Sequence, residues 1–380
     1  MSRQLFATFL GLFITFFVSA QDNLPFEVEE ITRFDEPWSM AFLPDGRMLI
    51  TEKKGRLTIV TQQGDKSQPV GGLPNVDYGG QGGLGDVALH PDFADNRLVY
   101  ISYAEAGEGK VRGAAVARGT LVEGERSAQL KDLEVIWRQY PKVLGYGHYG
   151  HRLLFDNNKY LWISSGDRQK FTPAQDMQSS MGKVLRLNDD GSVPKDNPFV
   201  NYRDENPFVD DEAIYQQIWS VGHRNPLGMT FDLDGRLWVI EMGPAGGDEL
   251  NLIKQGANYG YPAVSNGQHY DGRDIPNHDT QPQFAAPAIS WTPVISPADL
   301  MVYRGNLFAG WRGDAFAAGL SSQGIVRIKF DGESATEVER YGMGVRIRKV
   351  TESPDGAIWV LEDERGESMG RLLKLTPRPR

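Results

Sequence analysis

The chain has 380 residues, and its 40 basic and 50 acidic side chains leave a formal net charge of −10 at pH 7. This balance argues against a nucleic-acid partner, because phosphate neutralisation needs clustered Lys and Arg. Cysteine is absent, which excludes disulfides, Cys-ligated zinc, iron–sulfur clusters and thiol nucleophiles. Gly accounts for 43 residues, a high share that is typical of a turn-rich β protein.

The first 20 residues have the layout of a secretory signal peptide. A basic start at Arg3 precedes an apolar run over residues 5–18, and small residues follow up to Ala20. A retained membrane anchor is the alternative, but a span needs about 20 apolar residues and this run is shorter. We therefore expect residues 1–20 to be cleaved, and residues 21–380 to be periplasmic or secreted without membrane insertion. A tightly held cofactor suits that location better than a diffusible nicotinamide.

One pattern recurs six times along the rest of the chain: an apolar strand, a tight turn that often contains Asp-Gly, and a second apolar strand. Apolar alternation around such a turn predicts a β-hairpin, because Gly accepts the positive φ that the turn requires. Radial closure would let all six hairpins share one core. The copies cover residues 38–50, 86–102, 152–163, 228–239, 298–310 and 350–361.

The recurrence predicts the fold class and the domain organisation. We expect an all-β protein, a six-bladed β-propeller of four-stranded antiparallel blades, with residues 21–380 forming a single domain. A pair of β-sandwiches is the alternative, but it predicts no sixfold recurrence.

Residues 80–85 (GQGGLG) satisfy the dinucleotide pattern G-x-G-x-x-G. That pattern indicates a nicotinamide site only between a strand and a helix, and here it leads into a predicted strand. The glycines are better explained by a close approach of another group to the backbone, with Gln81 as a polar contact.

The segment 147–152 (GHYGHR) contains two histidines three positions apart, His148 and His151. On a strand or loop the two would not share one face, so a zinc site is not favoured. His148 precedes a predicted strand, and Asp167 ends the same hairpin. Such a pair suits proton abstraction, because a carboxylate orients a neutral imidazole and stabilises its charged form. A structural histidine is the alternative.

Three arginines lie where an anionic ligand could be bound. Arg224 and Asn225 place a fixed cation and an amide in a loop before the fourth hairpin. Arg346 and Arg348 would face the same side of a strand, and two like charges persist most easily with an anion between them. A solvated strand face is the alternative for this pair.

The loop 243–249 (GPAGGDE) offers backbone carbonyls and carboxylates, which are hard oxygen ligands suited to Ca²⁺. No EF-hand spacing accompanies it, since the acidic segment 188–191 lacks the terminal Glu. The calcium signal is therefore weak when this loop is considered alone.

Taken together and in order, these segments resemble the soluble sugar dehydrogenases that use pyrroloquinoline quinone (PQQ), the group of soluble glucose dehydrogenases and aldose sugar dehydrogenases. The resemblance covers residues 35–376, and the family fold is a six-bladed propeller. It rests on residues 37–42, 80–85, 166–167, 222–226, 241–244, 248–251 and 258–260, on His148-x-x-x-Arg152-Leu153 and on Arg346-x-Arg348.

The resemblance implies a role for each matching residue. His148 is the implied general base, paired with Asp167, and Arg224 belongs to both the catalytic and the cofactor set. The implied PQQ contacts are Gln81, Arg224, Asn225, Arg346 and Arg348. The implied Ca²⁺ ligands are the carbonyls of Gly243 and Pro244, and Glu249 and Tyr259 match positions that the family uses for calcium.

The implied reaction oxidises the C1 hydroxyl of an aldose to a lactone, with hydride transfer to PQQ and proton transfer to His148. The sugar, the external electron acceptor, and the choice between monomer and homodimer stay open. Two departures bear on sugar specificity and cofactor affinity. Gly147 stands where the soluble glucose enzyme has an acidic residue, and residues 319–324 lack the cofactor-binding Lys of its fifth blade.

Two other functions remain as alternatives. A calcium-dependent propeller lactonase or related hydrolase would share the metal and the histidine, but it needs no cluster of cations such as Arg346 and Arg348. A non-catalytic carbohydrate-binding propeller would keep the motifs as scaffold. Fold alone does not separate these functions.

Overall fold

A computed structural model describes residues 24–125, 127–202 and 214–378, and the predicted signal peptide lies outside them. These residues form six antiparallel sheets. The innermost strand of each sheet packs against the innermost strands of the two neighbouring sheets. The sixth sheet contacts the first in the same way, so the ring is closed. This closed ring confirms the six-bladed β-propeller.

The strands are short, as expected for propeller blades, and the helices are shorter still. The strands are β1 (Phe26–Arg33), β2 (Pro37–Phe42), β3 (Met48–Glu52), β4 (Arg56–Val60), β5 (Leu84–Leu89), β6 (Leu98–Ala106), β7 (Arg112–Glu123), β8 (Ala128–Arg138), β9 (Gly150–Phe155), β10 (Leu161–Ser165), β11 (Lys183–Leu187), β12 (Ile218–Val221), β13 (Pro226–Phe231), β14 (Leu237–Glu241), β15 (Asp248–Leu252), β16 (Ile289–Trp291), β17 (Pro297–Val302), β18 (Ala315–Gly319), β19 (Gly324–Asp331), β20 (Ser334–Gly342), β21 (Ile347–Glu352), β22 (Ile358–Glu362) and β23 (Arg371–Pro377).

Helical structure in the described ranges is limited to one α-helix and four 3-10 turns, none of them long and apolar enough to cross a bilayer. They are α1 (Phe93–Asn96) and the turns Glu108–Lys110, Thr172–Ala174, Ile214–Gln217 and His278–Thr280.

Five of the six blades have four strands, and blade 1 (β2–β4) has three. Blades 2 to 5 are β5–β8, β9–β12, β13–β16 and β17–β20. Blade 1 differs from the prediction because the chain leaves β4 as a loop, with an isolated bridge between Val60 and Lys66 in place of a fourth strand.

Blade 6 is built from both ends of the chain. Strands β21–β23 are joined by β1, which pairs antiparallel with β23 from Phe26 opposite Pro377 to Arg33 opposite Arg371. The N-terminal strand thus forms the outer edge of the last blade and closes the ring.

The predicted second strand of the fifth hairpin is wrong. β17 pairs with β18 (Ala315–Gly319), whereas residues 306–310 lie in the connection between them. The apolar character of that connection has another origin, because the ring of Phe308 is buried and stacks on Trp311 at 4.4 Å between centroids.

Each of the six inner strands has an irregularity in pairing near its first residues. Such bulges re-aim side chains, and they are common next to functional sites. The third residue of each inner strand lies at this point, and the six are Ser39, Asp86, Arg152, Gly228, Asp299 and Lys349.

Four of these side chains form a buried ionic cluster. The Arg152 guanidinium lies 3.4 Å from Asp86 and 3.6 Å from Asp299, and Lys349 reaches Asp299 at 3.1 Å. Arg152 also lies 3.9 Å from the centroid of the Trp38 ring.

A cavity of about 700 Å³ whose lining includes Trp38 lies towards the starts of the inner strands. Another of about 1300 Å³ lies towards their ends, with Asp86, Arg152, Asp299 and Lys349 in its lining.

We expect Arg152→Met to destabilise the protein by about 3–5 kcal/mol, because it leaves two buried carboxylates with a single cation. Denaturant unfolding measures the free energy. The control is Arg33→Met, whose exposed side chain pairs with Glu30 and whose loss costs about 0–1 kcal/mol. A change for Arg152→Met as small as that of the control would contradict the structural role of the cluster.

Candidate active site

The predicted catalytic and cofactor-binding residues lie at one mouth of the ring. Each inner strand begins the hairpin of its blade, so all six start on the same face, and the loops before them meet there. The cavity of about 700 Å³ opens at this mouth, and its lining includes Gln81, Met242, Arg346, Arg348 and Asp363.

His148 and Asp167 form a buried pair behind the wall of this cavity, which Gly147 and Tyr149 line on either side of His148. His148 Nδ1 lies 2.7 Å from Asp167 Oδ1, and the main-chain N–H of His148 donates to Gln81 Oε1 at 2.7 Å. The Asp167 carboxylate is fully buried and also accepts the N–H groups of Gln169 and Phe171. Asp167 therefore orients the imidazole, and Gln81 fixes the main chain of His148.

Burial is the largest influence on His148, and it lowers the pKa of the imidazole below its ordinary value. The hydrogen bond to Asp167 opposes this effect, whereas the positive charges of Arg224 and Arg168 add to it. The net direction keeps the ring neutral near pH 7, which is the protonation state of a general base.

Two glycines allow the histidine loop to meet the end of β10. A Cβ on Gly166 would lie 2.2 Å from the carbonyl oxygen of His148, and Gly150 has φ 66° with only 2.7 Å between its own would-be Cβ and Gly166 N. Side chains at either position would push His148 away from Asp167.

Residues 80–85 pack against the same loop. A Cβ on Gly80 would lie 2.6 Å from Tyr146, one on Gly82 would lie 2.9 Å from Tyr149, and one on Gly85 would lie 2.0 Å from His151. The segment leads directly into β5, so it has no helix to bind a dinucleotide phosphate. These glycines make room for the loop that carries His148.

Arg224 and Asn225 precede β13 and are almost fully buried. Nη1 of Arg224 donates to the carbonyls of Met242 at 3.0 Å and Gly243 at 2.5 Å, and its main-chain N–H donates to Glu241 at 2.6 Å. Arg224 Nε and Asn225 Oδ1 find no hydrogen-bond partner within the described part of the chain. A cationic donor and an amide acceptor thus remain available to a ligand.

Arg346 and Arg348 both reach a single carboxylate. Arg346 Nε donates to Asp363 Oδ2 at 2.9 Å, and Nη2 of Arg348 donates to Asp363 Oδ1 at 2.7 Å. Burial alone would raise the pKa of Asp363, but the two guanidinium groups outweigh it and hold the pKa below its usual value. Arg346, Arg348 and Asp363 together therefore place a net charge of +1 on the cavity wall.

Two of the four predicted calcium residues already have hydrogen-bond partners within the protein. Gly243 O already accepts from Arg224, and the Tyr259 hydroxyl donates to Leu252 O and accepts from Lys254 N. No group of three or more His, Asp or Glu in the described ranges is arranged to hold a metal.

Glu249 nevertheless lies in a pocket of polar atoms. Its carboxylate is 3.3 Å from His278 Nε2 and accepts from Asn251 Nδ2 at 3.2 Å. Asn251 Oδ1 and both ring nitrogens of His278 are buried without a hydrogen-bond partner among the residues described. A buried carboxylate beside an unpartnered amide oxygen fits a hard cation such as Ca²⁺.

The cavity fits PQQ on similar grounds. PQQ carries three carboxylates, and the wall presents Arg346 and Arg348 with an excess positive charge. Met242, whose carbonyl accepts from Arg224, also lines the cavity, and Arg224 Nε has no partner among the described residues. The structure also shows residues that the sequence did not indicate, namely Asp363, Arg168, and the exposed rings of Phe171 and Tyr270. Asp363 follows β22 directly, as Met242 follows β14, and this shared position is the signal that could have found it.

The comparisons agree with this architecture. Residues 34–374 match the family described as Glucose / Sorbosone dehydrogenase. Aldose sugar dehydrogenase YliI of Escherichia coli (strain K12) is 37% identical over 354 residues, which cover 91% of each protein. The crystal structure of the soluble aldose sugar dehydrogenase from Escherichia coli in the apo-form matches with a TM-score of 0.84 and 36% identity, over 93% of this chain and 100% of that one.

A further solved structure is the PQQ-bound form of the aldose sugar dehydrogenase from Streptomyces coelicolor. It matches with a TM-score of 0.73 and 28% identity, over 92% of this chain and 98% of that one. The chain therefore belongs to the glucose/sorbosone dehydrogenase family, as its ordered motifs predicted.

Proposed function

We propose that the protein is a PQQ-dependent dehydrogenase that oxidises the C1 hydroxyl of aldose sugars to lactones. The observation that carries the proposal is the buried His148–Asp167 pair beside a cavity lined by Arg346 and Arg348. The family implies a small-molecule sugar substrate, and the similarity to a PQQ-bound relative supports the choice of cofactor.

The cofactor site would be formed by Gln81, Arg224, Asn225, Arg346 and Arg348. Bound PQQ would supply the acceptor for the hydride from C1. The guanidinium groups would bind its carboxylates through charge-assisted hydrogen bonds, which are stronger than neutral ones. Because Asp363 fixes the side chains of Arg346 and Arg348, the anion would meet donors that are already ordered.

His148 would take the proton of the sugar hydroxyl at Nε2. The Asp167 carboxylate accepts a hydrogen bond from the Nδ1–H group of His148. The neutral ring therefore carries its proton at Nδ1, and the lone pair of Nε2 is free. As C1 loses a hydride and its hydroxyl loses a proton, the sugar becomes a lactone. The buried Asp167 carboxylate would then stabilise the imidazolium.

Calcium is part of the proposal, with Glu249 and Asn251 as one candidate site and the carbonyls of Gly243 and Pro244 as the other. At the Gly243–Pro244 site the ion would add positive charge beside Arg224. We also propose that the protein is periplasmic or secreted, on the sequence of residues 1–20 alone.

Calcium binding at Glu249 predicts a thermal shift. Adding Ca²⁺ to the chelated protein is expected to stabilise it by about 2.7 kcal/mol at 100 times the dissociation constant. Glu249→Gln should remove most of that gain, and Glu339→Gln, a change of the same kind in the outer strand β20, should keep it. An equal gain in all three proteins would assign the ion to the Gly243–Pro244 loop, and no gain in any would reject calcium.

The function is tested by adding PQQ and Ca²⁺ to the purified apoprotein and following dye reduction with a panel of aldoses. We expect dye reduction only with PQQ and a lactone as the product, whereas NAD⁺ should not substitute. Failure to bind PQQ would refute the proposal. Lactone hydrolysis without dye reduction would favour the hydrolase, and sugar binding without any turnover would favour the carbohydrate-binding propeller.

A further inference from the structure

Arg168 is a buried cation that the proposed reaction does not yet use. It is 1% exposed, and no carboxylate of the described residues lies within ion-pair distance of its guanidinium. Its partners are mainly main-chain carbonyls: Nε donates to Gly147 O at 2.8 Å, Nη1 donates to Arg112 O at 2.7 Å, and Nη2 donates to Gly145 O. Nη1 also makes a long hydrogen bond of 3.5 Å to the side-chain oxygen Oε1 of Gln139. Burying an unpaired charge is costly, so this arrangement needs a reason.

Two of the three carbonyls that Arg168 holds, those of Gly145 and Gly147, belong to the segment immediately before His148, and the third is at the start of β7. Gly145 and Gly147 flank Tyr146 there, and Gly145 has φ 105° with open space where a Cβ would be. A segment with two glycines loses much conformational freedom on ordering and has few side chains to fix it. The guanidinium provides the missing attachment.

Arg168 is also tied to the pair itself. It directly follows Asp167, and its main-chain N–H donates to His148 O at 3.2 Å. Its guanidinium lies 3.8 Å from the centroid of the Tyr149 ring, on the other side of the histidine. Its φ of 54° lies in the left-handed region, which is unusual for a long side chain and is often found at functional sites.

We infer that Arg168 is the positioning residue of His148: it fixes the backbone on both sides of the imidazole, while its neighbour Asp167 fixes the ring. This inference rests on the proposed role of His148 as the base. A displacement of about 1 Å from the reactive position can reduce a rate 100-fold, so such an attachment matters for turnover.

A second effect of Arg168 is electrostatic. The charged groups that face His148 are Asp167, Arg224 and Arg168, and both arginines lower the pKa of the imidazole. Removing the charge at position 168 should therefore raise that pKa. A merely structural arginine would not produce this shift.

The test compares Arg168→Met, Arg168→Lys and the wild type. For Arg168→Met we expect kcat to fall about 10- to 100-fold, with KM for the sugar and PQQ affinity within about twofold. Arg168→Lys keeps the charge but reaches fewer carbonyls, so its kcat should be intermediate. The His148 titration, followed by NMR in the apoprotein and assigned with His148→Gln, should move to higher pH in Arg168→Met and stay unchanged in Arg168→Lys.

The control is Arg186→Met in the same blade. Arg186 is also buried and lies 4.4 Å from the ring of Trp219, but its partners are Asn197 and Asp196. The Arg186→Met variant should be less stable than the wild type, with unchanged kcat and an unchanged His148 titration.

The inference is overturned if Arg168→Met keeps wild-type kcat and titration, or behaves like Arg186→Met. If Arg168→Met does not fold, wild-type kcat in Arg168→Lys overturns it. The NMR titration needs no turnover, so it separates this inference from a failure of the proposed function.

Discussion

Replacing His148 with Ala is expected to lower kcat for aldose oxidation by about 10²- to 10⁴-fold, while PQQ still binds. The imidazole is neutral, oriented by Asp167 and adjacent to the cavity, so its loss removes the proton acceptor but none of the proposed cofactor contacts. Steady-state dye reduction measures kcat, and the absorbance of the bound cofactor measures occupancy. Turnover close to that of the wild type would reject His148 as the base.

The matched control for this prediction is His90→Ala. His90 is a second buried histidine with a carboxylate near its ring, since Nε2 lies 3.5 Å from Asp189. It follows the far end of β5, and none of residues 89–91 lines the cavity, whereas Gly147 and Tyr149 on either side of His148 do. We expect the control to lose stability and to keep kcat within about twofold. A similar loss of kcat in both variants would indicate general damage to the fold.

The pH profile gives an independent readout of His148. The base must be neutral to accept a proton, so activity is present above its pKa and lost as pH falls through it. Because burial and the nearby arginines lower that pKa from 6.5, the acidic limb of kcat/KM should lie below pH 6.5. A limb above that value would contradict the assignment.

The double variant Arg346→Ala/Arg348→Ala is expected to weaken PQQ binding by about 30-fold to several thousand-fold, which corresponds to about 2–5 kcal/mol. The change removes both cations and leaves Asp363 buried and unpaired on the wall of an anion site. Titration of the apoprotein with PQQ, followed by absorbance at fixed Ca²⁺, gives the dissociation constant.

Arg340→Ala is the control for charge alone. Its side chain is exposed on β20 and pairs with Glu337, away from the cavity. It should leave PQQ affinity within about twofold, because exposed ion pairs contribute little. If the double variant behaves in the same way, the anion site lies elsewhere and the proposed cofactor loses its main support.

Most of the fold follows from local sequence. The turn and the apolar alternation of each hairpin depend only on neighbouring residues, and five of the six copies coincide with paired strands. The fifth failed because residues 306–310 are apolar for another reason, the packing of Phe308 on Trp311. No sequence pattern indicated that blade 1 has three strands. The number of strands after a hairpin depends on where the chain turns back, which the hairpin itself does not determine.

The candidate site was predictable where a residue stands at the start of a hairpin. His148, Arg224 and Arg346 precede inner strands, and propeller geometry brings those positions to one mouth. Arg168 was not predictable, because its partners are mainly main-chain carbonyls and these leave no residue pattern. Asp363 is more than ten positions from the arginines it joins, and only the pairing of β21 with β22 brings them together.

The pairing of β1 with β23 joins segments about 350 residues apart, and loop closure over that distance is entropically unfavourable until the rest of the ring exists. During synthesis the leading strand therefore has no partner until the last one emerges. Until then β1 would present a free edge to which strands of other molecules could add. Fusions or deletions that disturb β1 should therefore impair assembly of the whole ring. A fragment that lacks β1 or β23 should aggregate, although every residue at the mouth of the ring is still present.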